Sequence, residues 1–463
     1  MRLNVLSLID YDERPRLRTH EDGPARVLTA EQRLRRSVLS CMLWESEFYE
    51  DGAEIAARIR ELVPMVAAER VAALAVEARE RMKLRHAPLL LVREMARHAS
   101  HRGLVAETLQ RVIQRADELA EFLAIYWADR EMGKRQPLSG QVKKGLAAAF
   151  VKFDEYALAK YDRAGSVRLR DVLFLSHARP VDAAQAELWK RLAANELTAP
   201  DTWEVALSAA GRVADSEAKA SKQEVWERLL LDRRLGALAL LRNLRNMHEA
   251  GVREELVLGA LAQMKTERVL PFRFLAAARK APQWEEALEL AMFRALHRTD
   301  ESRRLTGHTV LLVDVSGSMV CALSRRSEML RTDAAYGVAI LLRELAEKVT
   351  IYTFSEKAKR VPARRGLALR DALDQNQPHG GTYLGAALAQ VELECPQYDR
   401  LVVITDEQAH DAVLDPQGRG YMLNVASARN GVGYGDGRST AQWTHIDGFS
   451  EAVVEYIAEL ERA

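Results

Sequence analysis

The stretch Leu311–Met319, with the sequence LLVDVSGSM, decides the fold of the carboxyl-terminal third of the chain. Its apolar run leads into an acid and two hydroxyls, spaced as Asp314, Ser316 and Ser318. Such a run is typical of a buried parallel strand, and ligand sites in open α/β sheets form where such strands end. Gly317 lets the backbone turn, so the three oxygen-bearing side chains project from one loop. Alone, the motif also fits a serine-rich turn that caps the next helix.

Two later segments supply further oxygen ligands. Gly380–Gly385, with the sequence GGTYLG, places Thr382 before a helical stretch, and the apolar run Leu401–Thr405 leads into Asp406. Small oxygen ligands favour a hard cation, so we expect a divalent ion, with Mg²⁺ first and Ca²⁺ or Mn²⁺ as alternatives. In order and spacing the set resembles the metal-ion-dependent adhesion site of von Willebrand factor A domains. The predicted ligands are Asp314, Ser316, Ser318, Thr382 and Asp406.

We expect no catalytic residues, although a metal-dependent hydrolase or nuclease is a possible alternative. The set lacks the second metal and the paired acids that phosphodiester cleavage usually employs. The sequence has no glycine-rich phosphate loop with a lysine. Asp406 and Glu407 are adjacent acids, but neighbouring strand residues point to opposite faces.

Composition predicts a globular protein of the cytoplasm with no membrane segment. The 463 residues, 48% hydrophobic and 29% charged, favour two or three domains. Met1–Val5 contains no apolar signal core, and no apolar run reaches the roughly 18 residues of a membrane span. The three cysteines are scattered, which fits a reducing compartment.

Charge is divided unevenly along the chain. From Thr306 onward there are 16 Lys and Arg against 21 Asp and Glu, whereas the preceding residues hold 51 and 45. The window Glu131–Pro180 is richer still, with 10 basic and 5 acidic residues. This charge asymmetry indicates that the two parts of the chain have different functions. The alternative interpretation of the basic window is an ordinary solvent-exposed helix face. Charge alone makes four residues RNA-binding candidates: Lys143, Lys144, Arg168 and Arg170.

The hydrophobic pattern changes near Leu305. Before it, apolar residues recur at helical spacing and no strand is predicted, which favours an irregular bundle or a HEAT-like solenoid. After it, strands and helices alternate, which predicts a parallel, doubly wound sheet. The predicted divisions are an irregular segment 1–28, a helical domain 29–305 and an α/β domain 306–463.

Three stretches of the helical part carry a family resemblance. They are Gln141–Leu146 (QVKKGL), Ala157–Tyr161 (ALAKY) and Asp171–Pro180 (DVLFLSHARP). Leu241–Met247 (LRNLRNM) adds an arginine–asparagine–leucine helix. Together they resemble the TROVE domain of the sixty-kilodalton Ro autoantigen family and its bacterial relatives, and the predicted metal-site module follows in the order that this family shows.

The resemblance implies a monomeric ring of HEAT-like helices, closed by a von Willebrand factor A domain. It implies binding of small noncoding Y-type RNA on the outer basic surface and of single-stranded RNA 3′ ends in a central hole. It also implies an RNA-mediated link to the exoribonuclease polynucleotide phosphorylase. The family's RNA-binding lysine and histidine correspond to Lys160 and His177. A family arginine aligns with Ala164, and Arg163, one position earlier, is the candidate to replace it.

Simpler interpretations of these residues stay open at this stage. His177 is alternatively a buried histidine bonded to backbone carbonyls, and Lys160 an ordinary exposed residue. We expect Tyr156 and Tyr161 in the core rather than as stacking platforms. The competing function is a metal-dependent protein-adhesion module on an α-solenoid that binds no RNA.

Overall fold

The structure is a computed structural model that describes most of the chain as two compact units. The described residues are 28–39, 52–128, 137–162, 165–198, 203–210, 215–266, 269, 271–297, 304–323, 329–426, 432, 443–448 and 452–462. Those from Ala30 to His297 form one unit and those from Arg304 to Arg462 the other. The predicted irregular segment lies, up to residue 27, outside the described residues. None of the described helices combines the length and the apolar composition needed to cross a membrane.

The first unit is helical, as the apolar spacing predicted. Its helices are α1 Ala30–Leu39, α2 Gly52–Leu62, α3 Ala68–Glu80, α4 His86–Arg97, α5 Val105–Val112, α6 Asp117–Trp127, α7 Gly140–Phe150, α8 Glu155–Tyr161, α9 Leu169–Ser176, α10 Ala183–Ala194, α11 Trp203–Ala210, α12 Asp215–Leu231, α13 Ala237–Glu249, α14 Glu254–Gln263, α15 Pro271–Lys280 and α16 Glu285–His297.

Helices in this unit pack mainly against helices close to them in the chain. Helix α4 contacts α3, α5 and α6, while α7 contacts α5 and α9. One continuous apolar core runs from Leu34 to Leu192. Gly145 allows the closest approach, since a Cβ atom there would lie 2.9 Å from the carbonyl oxygen of Ala106. This contact seats α7, which carries Lys143 and Lys144, directly on α5.

The second unit alternates strands and helices around a six-stranded sheet. Its elements are β1 Leu305–Asp314, α17 Arg331–Leu345, β2 Ala346–Phe354, β3 Ala358–Arg360, α18 Gly366–Asp374, α19 Leu384–Glu394, β4 Arg400–Thr405, β5 Arg419–Asn424, β6 Trp443–Asp447 and α20 Ala452–Arg462. The prediction of an all-parallel sheet is wrong at one edge, because β3 pairs antiparallel with β2. A strand as short as β3 follows β2 through a tight turn and needs no crossover helix.

Strand order places β1 and β4 side by side at the centre of the sheet. The order is β3-β2-β1-β4-β5-β6, so the chain moves outward to opposite sides from this pair. Such a switch point leaves a crevice at the carboxyl ends of the two strands. The register pairs Val313 with Ile404. Asp314 and Thr405, the next residue of each strand, therefore lie beside each other at this crevice.

Candidate metal centre and nucleic-acid interface

Asp314 is a fully buried carboxylate at the end of β1. Its Oδ1 accepts a hydrogen bond from the Ser316 amide at 2.8 Å, and its Oδ2 accepts one from the Thr405 hydroxyl at 2.6 Å. Both donors are neutral, and no cationic side chain among the described residues hydrogen bonds to this carboxylate. Burial, together with the neighbouring carboxylate of Asp406, raises the pKa of Asp314 above its ordinary value.

The loop after β1 is held against the loop that carries Thr382. The Ser316 and Ser318 hydroxyl oxygens lie 3.3 Å apart. The Gly317 amide donates to the Gly380 carbonyl at 3.0 Å. The Thr382 side chain is buried, and its carbonyl accepts from the His410 amide at 2.9 Å. The predicted serine and threonine ligands thus lie on two loops joined through their backbones.

Asp406 supplies the second buried carboxylate, directly after β4. Its Oδ2 lies 3.3 Å from the guanidinium Nη1 of Arg331, which also donates to the Ser318 carbonyl at 3.4 Å. Arg331 therefore links the β4 end to the serine loop and partly compensates one of the two acids. The two carboxylates therefore differ in their surroundings. Among the described residues, a guanidinium lies within hydrogen-bond distance of Asp406, whereas the hydrogen-bond donors of Asp314 are neutral.

Arg331 and Thr405 contribute to this centre although no sequence pattern pointed to them. Arg331 lies 75 positions from Asp406, and the Thr405 hydroxyl belongs to a strand recognised only by its apolar residues. Glu407 is buried, adopts a positive φ of 59° and hydrogen bonds to Nδ1 of His445 at 2.9 Å. Glu407, the acid next to Asp406, thus hydrogen bonds to a residue of β6. Its left-handed backbone conformation was not predicted from the sequence.

In the helical unit, the structure brings Lys143 and His177 together. Helix α7 begins after Ser139, whose hydroxyl accepts a hydrogen bond from the Val142 amide. Helix α9 ends at Ser176, and the next residue, His177, caps it with a left-handed φ of 54°. Lys143 Nζ and His177 Nε2 lie 3.3 Å apart although the residues are 34 positions apart. His177 is exposed, so the interpretation of a buried histidine is wrong.

Lys160 lies beside two aromatic rings on α8. Its Nζ is 5.8 Å from the centroid of the Tyr156 ring and 5.7 Å from that of Tyr161. Tyr161 is half-buried under the guanidinium of Arg115, 4.8 Å above the ring. Tyr156 is 54% exposed, so its predicted place in the core is wrong. The chain at this point packs Leu158 inward and leaves the tyrosine on the outer face of a short helix.

The remaining RNA candidates divide into paired and unpaired cations. Arg168 donates to Asp162 at 3.3 Å across the loop between α8 and α9. Lys144 is exposed and Arg170 half-buried, and neither forms an ion pair with a described residue. The same holds for Lys143, Lys160 and His177. Arg163 lies outside the described residues. The geometry thus offers several uncompensated cations on consecutive helices, which is the chemistry that binds phosphates.

Comparison with known proteins gives a family match over part of the chain and a solved structure with a similar fold. Residues 178–308 match the TROVE domain family. The crystal structure of the Ro (RSR) protein of Deinococcus radiodurans covers 94% of this chain and 100% of its own, at 20% identity and a TM-score of 0.60. An aerotolerance-related membrane protein from Bacteroides fragilis matches 34% of this chain and 88% of its own, at 17% identity. Its TM-score of 0.21 is too low to support an argument. No curated protein matches the sequence.

Proposed function

We propose that this chain, a Ro-like TROVE-domain protein, binds RNA and does not itself catalyse a reaction. Its basic segment Lys143–His177 would hold the backbone of a structured noncoding RNA of the Y type. A protein of this kind serves RNA quality control, processing or degradation by capturing RNA rather than by cutting it. The TROVE match and the Ro-like fold support the RNA-binding class, and the side chains of this segment support its location.

The observation that carries the proposal is the set of uncompensated cations on α7, α8 and α9. Lys143 and His177 meet at 3.3 Å, Lys160 lies near two aromatic rings, and none of the three forms an ion pair with a described residue. An intramolecular ion pair would have to break before a lysine could contact a phosphate. These side chains carry no such cost, so they are available to neutralise an RNA backbone and release its counterions.

We also propose a larger assembly for this protein. The helical unit would form a HEAT-like ring that the second unit, a von Willebrand factor A domain, closes. Single-stranded 3′ ends of misfolded RNAs would enter the central hole, and bound Y-type RNA would link the protein to polynucleotide phosphorylase. The near-neighbour helix packing supports the HEAT-like character of the helical unit.

The predicted metal centre fits a divalent cation. Two carboxylates, Asp314 and Asp406, are buried close together, and the first has only neutral hydrogen-bond donors. A buried, uncompensated carboxylate is costly, and a cation removes that cost. Ser316, Ser318 and Thr382 would complete an oxygen site that suits Mg²⁺ and also admits Ca²⁺ or Mn²⁺. When bound, the ion would offer an open coordination position to a carboxylate of a partner.

The RNA proposal is tested by a salt titration of binding. The probe is a synthetic RNA hairpin with a single-stranded 3′ tail, titrated with wild type, the double variant Lys143→Gln/Lys160→Gln and the control Lys190→Gln. Lys190 is an exposed lysine on α10 whose charge is paired with Glu187 at 3.2 Å. We expect the slope of log affinity against log salt to flatten by about 0.7–0.9 for each phosphate contact removed. The control should change it far less.

Failure of the wild-type protein to bind the hairpin even at low salt would reject the RNA proposal. That result would favour the alternative, a metal-dependent protein-adhesion module on an α-solenoid. Equal effects of the double variant and the Lys190 control would instead show that the binding surface lies elsewhere on the protein.

A further inference from the structure

Two aromatic side chains of the helical unit stand out because they face solvent. Among its described residues, Tyr156 at 54% and Phe174 at 63% are the exposed large aromatics. Single exposed apolar residues are common on protein surfaces and need no explanation. Both of these, however, fall inside the window Glu131–Pro180 that was singled out by its charge and inside the basic segment Lys143–His177 within it.

Each exposed ring has a cationic or proton-binding group about one helical turn away. Lys160 follows Tyr156 by four positions, with its Nζ 5.8 Å from the ring centroid. His177 follows Phe174 by three positions, and its amide donates to the Phe174 carbonyl at 3.3 Å. Tyr156 and Lys160 share one face of α8. His177 directly follows α9 and lies 3.3 Å from Lys143. Each exposed ring thus lies on a short helix with a nitrogen-bearing side chain within four positions of it in sequence.

The acids near these rings are already engaged. Glu155 forms a bidentate pair with Arg191, at 2.6 and 2.8 Å, and Asp154 caps α8 by accepting from the Ala157 amide at 2.8 Å. Asp171 accepts from the Arg168 amide at 2.8 Å and Asp162 from its guanidinium at 3.3 Å. Glu155 and Asp162 are therefore paired with guanidinium groups, while Asp154 and Asp171 keep their charge at the helix N-termini and are held there by backbone amides.

We infer that Tyr156 and Phe174 are stacking platforms for the bases of an unpaired RNA segment. Resting on the proposed function, this inference assigns a second mode of binding to the same surface. An aromatic face accepts any base by stacking, while adjacent Lys160, Lys143 and His177 bind the flanking phosphates. Bases within a duplex are already stacked on one another and cannot lie on these rings. The surface therefore discriminates single-stranded from double-stranded RNA.

The test compares two probes by fluorescence anisotropy at one salt concentration. They are a labelled oligouridine of about 12 nucleotides and a blunt RNA duplex of about 16 base pairs. The variants are Tyr156→Leu, Phe174→Leu and the conservative Tyr156→Trp. Met65→Ala, which removes a 62% exposed side chain outside the basic segment, is the matched control. Each leucine variant should weaken oligouridine binding about tenfold, with the duplex affinity and the salt slope unchanged.

The tryptophan variant should retain the oligouridine affinity because it keeps a stacking face, and the Met65 control should resemble wild type. Equal losses for both probes, or unchanged affinity of both leucine variants for oligouridine, would overturn the stacking role while RNA binding itself stands. A wild-type protein that binds neither probe at low salt would overturn the proposed function and this inference together.

Discussion

Two regions of the helical unit use their basic residues in opposite ways. In helices α1–α6 arginines repeatedly face carboxylates: Arg35 with Glu77 at 2.6 Å, Arg79 with Glu118 at 2.6 Å, Arg93 with Glu94 at 2.7 Å and Arg111 with Glu80 at 3.2 Å. In α7–α9, Lys143, Lys144, Lys160 and Arg170 form no ion pair with any described residue. Three of these pairs join α3 to α1, α5 or α6, and the fourth lies within α4. The second region leaves charge available to a ligand.

The comparison indicates that ion pairing, rather than the number of charged residues, distinguishes the helices of the scaffold (α1–α6) from the proposed RNA-binding surface (α7–α9). A paired arginine has its charge satisfied inside the protein, while an unpaired one gains most from an external anion. The same principle applies in the sheet unit to a negative charge. Asp314 is buried with only neutral donors, so its charge is best satisfied by an external cation.

The largest effect is expected from breaking a buried pair that joins two helices of the scaffold, Arg79 with Glu118. Glu118 has no exposed side-chain surface, and it binds Arg79 and the amides of Gln114 and Arg115. Glu118→Ala would leave Arg79 uncompensated, so we expect unfolding free energy to fall by about 3–5 kcal/mol. Urea denaturation measures this change.

The control for that experiment is Glu80→Ala. Glu80 pairs with Arg111 at 3.2 Å on the surface, where both side chains are about half exposed. Its loss should cost less than about 1 kcal/mol. Similar costs for the two variants would contradict the distinction between buried scaffold pairs and surface pairs.

A smaller effect is expected at the uncompensated carboxylate of the sheet unit. Wild-type protein should gain about 2.7 kcal/mol of stability when Mg²⁺ or Mn²⁺ is present at a hundred times its dissociation constant. Asp314→Ala should abolish this gain, whereas Asp415→Ala, which removes an exposed acid, should retain it. Thermal denaturation with and without the ion reads out both. A metal-dependent gain that persists in Asp314→Ala would show that the ion binds elsewhere.

The same variant sharpens the separation of the two binding sites. Because the RNA candidates lie in the helical unit, Asp314→Ala should leave the affinity for the tailed RNA hairpin largely unchanged. Lost RNA binding in a folded Asp314→Ala protein would mean that the metal centre and the RNA surface are coupled.

The smallest effect is expected from converting a paired cation into an unpaired one. Asp162→Asn would release Arg168, which lies at the edge of the basic segment. The Arg168 side chain is 29% exposed and that of Asp162 is 10% exposed, so we expect a stability loss near the upper end of the range for exposed pairs, about 1 kcal/mol. RNA affinity at low salt should rise by a few fold, because one more guanidinium becomes available and one acid is removed. Unchanged or weaker RNA binding would place Arg168 outside the interface.

The sequence anticipated those parts of the fold that follow from local pattern. Runs such as Leu401–Thr405 are apolar enough to predict a buried strand, and the acids at their ends mark the crevice. The strand Ala358–Arg360 has three residues and no alternation, so nothing in its pattern predicted it. Strand Trp443–Asp447 mixes polar and apolar residues and was also missed.

Contacts between distant residues could not be read from the sequence. The approach of Lys143 to His177 and of Arg331 to Asp406 depends on how helices and strands pack. Tyr156 was assigned to the core because a tyrosine in a helical pattern counts as apolar. Its exposure reflects the orientation of α8, which buries Leu158 and pairs Glu155 with Arg191 of the neighbouring helix α10.

The most direct test of the central claim is ultraviolet crosslinking of the full-length protein to bound RNA, followed by mass spectrometry of the crosslinked peptides. If uncompensated cations mark the RNA surface, crosslinks should concentrate in peptides covering residues 141–179, including Tyr156 and Phe174. Crosslinks confined to the ion-paired helices within residues 30–127, with none in 141–179, would contradict it.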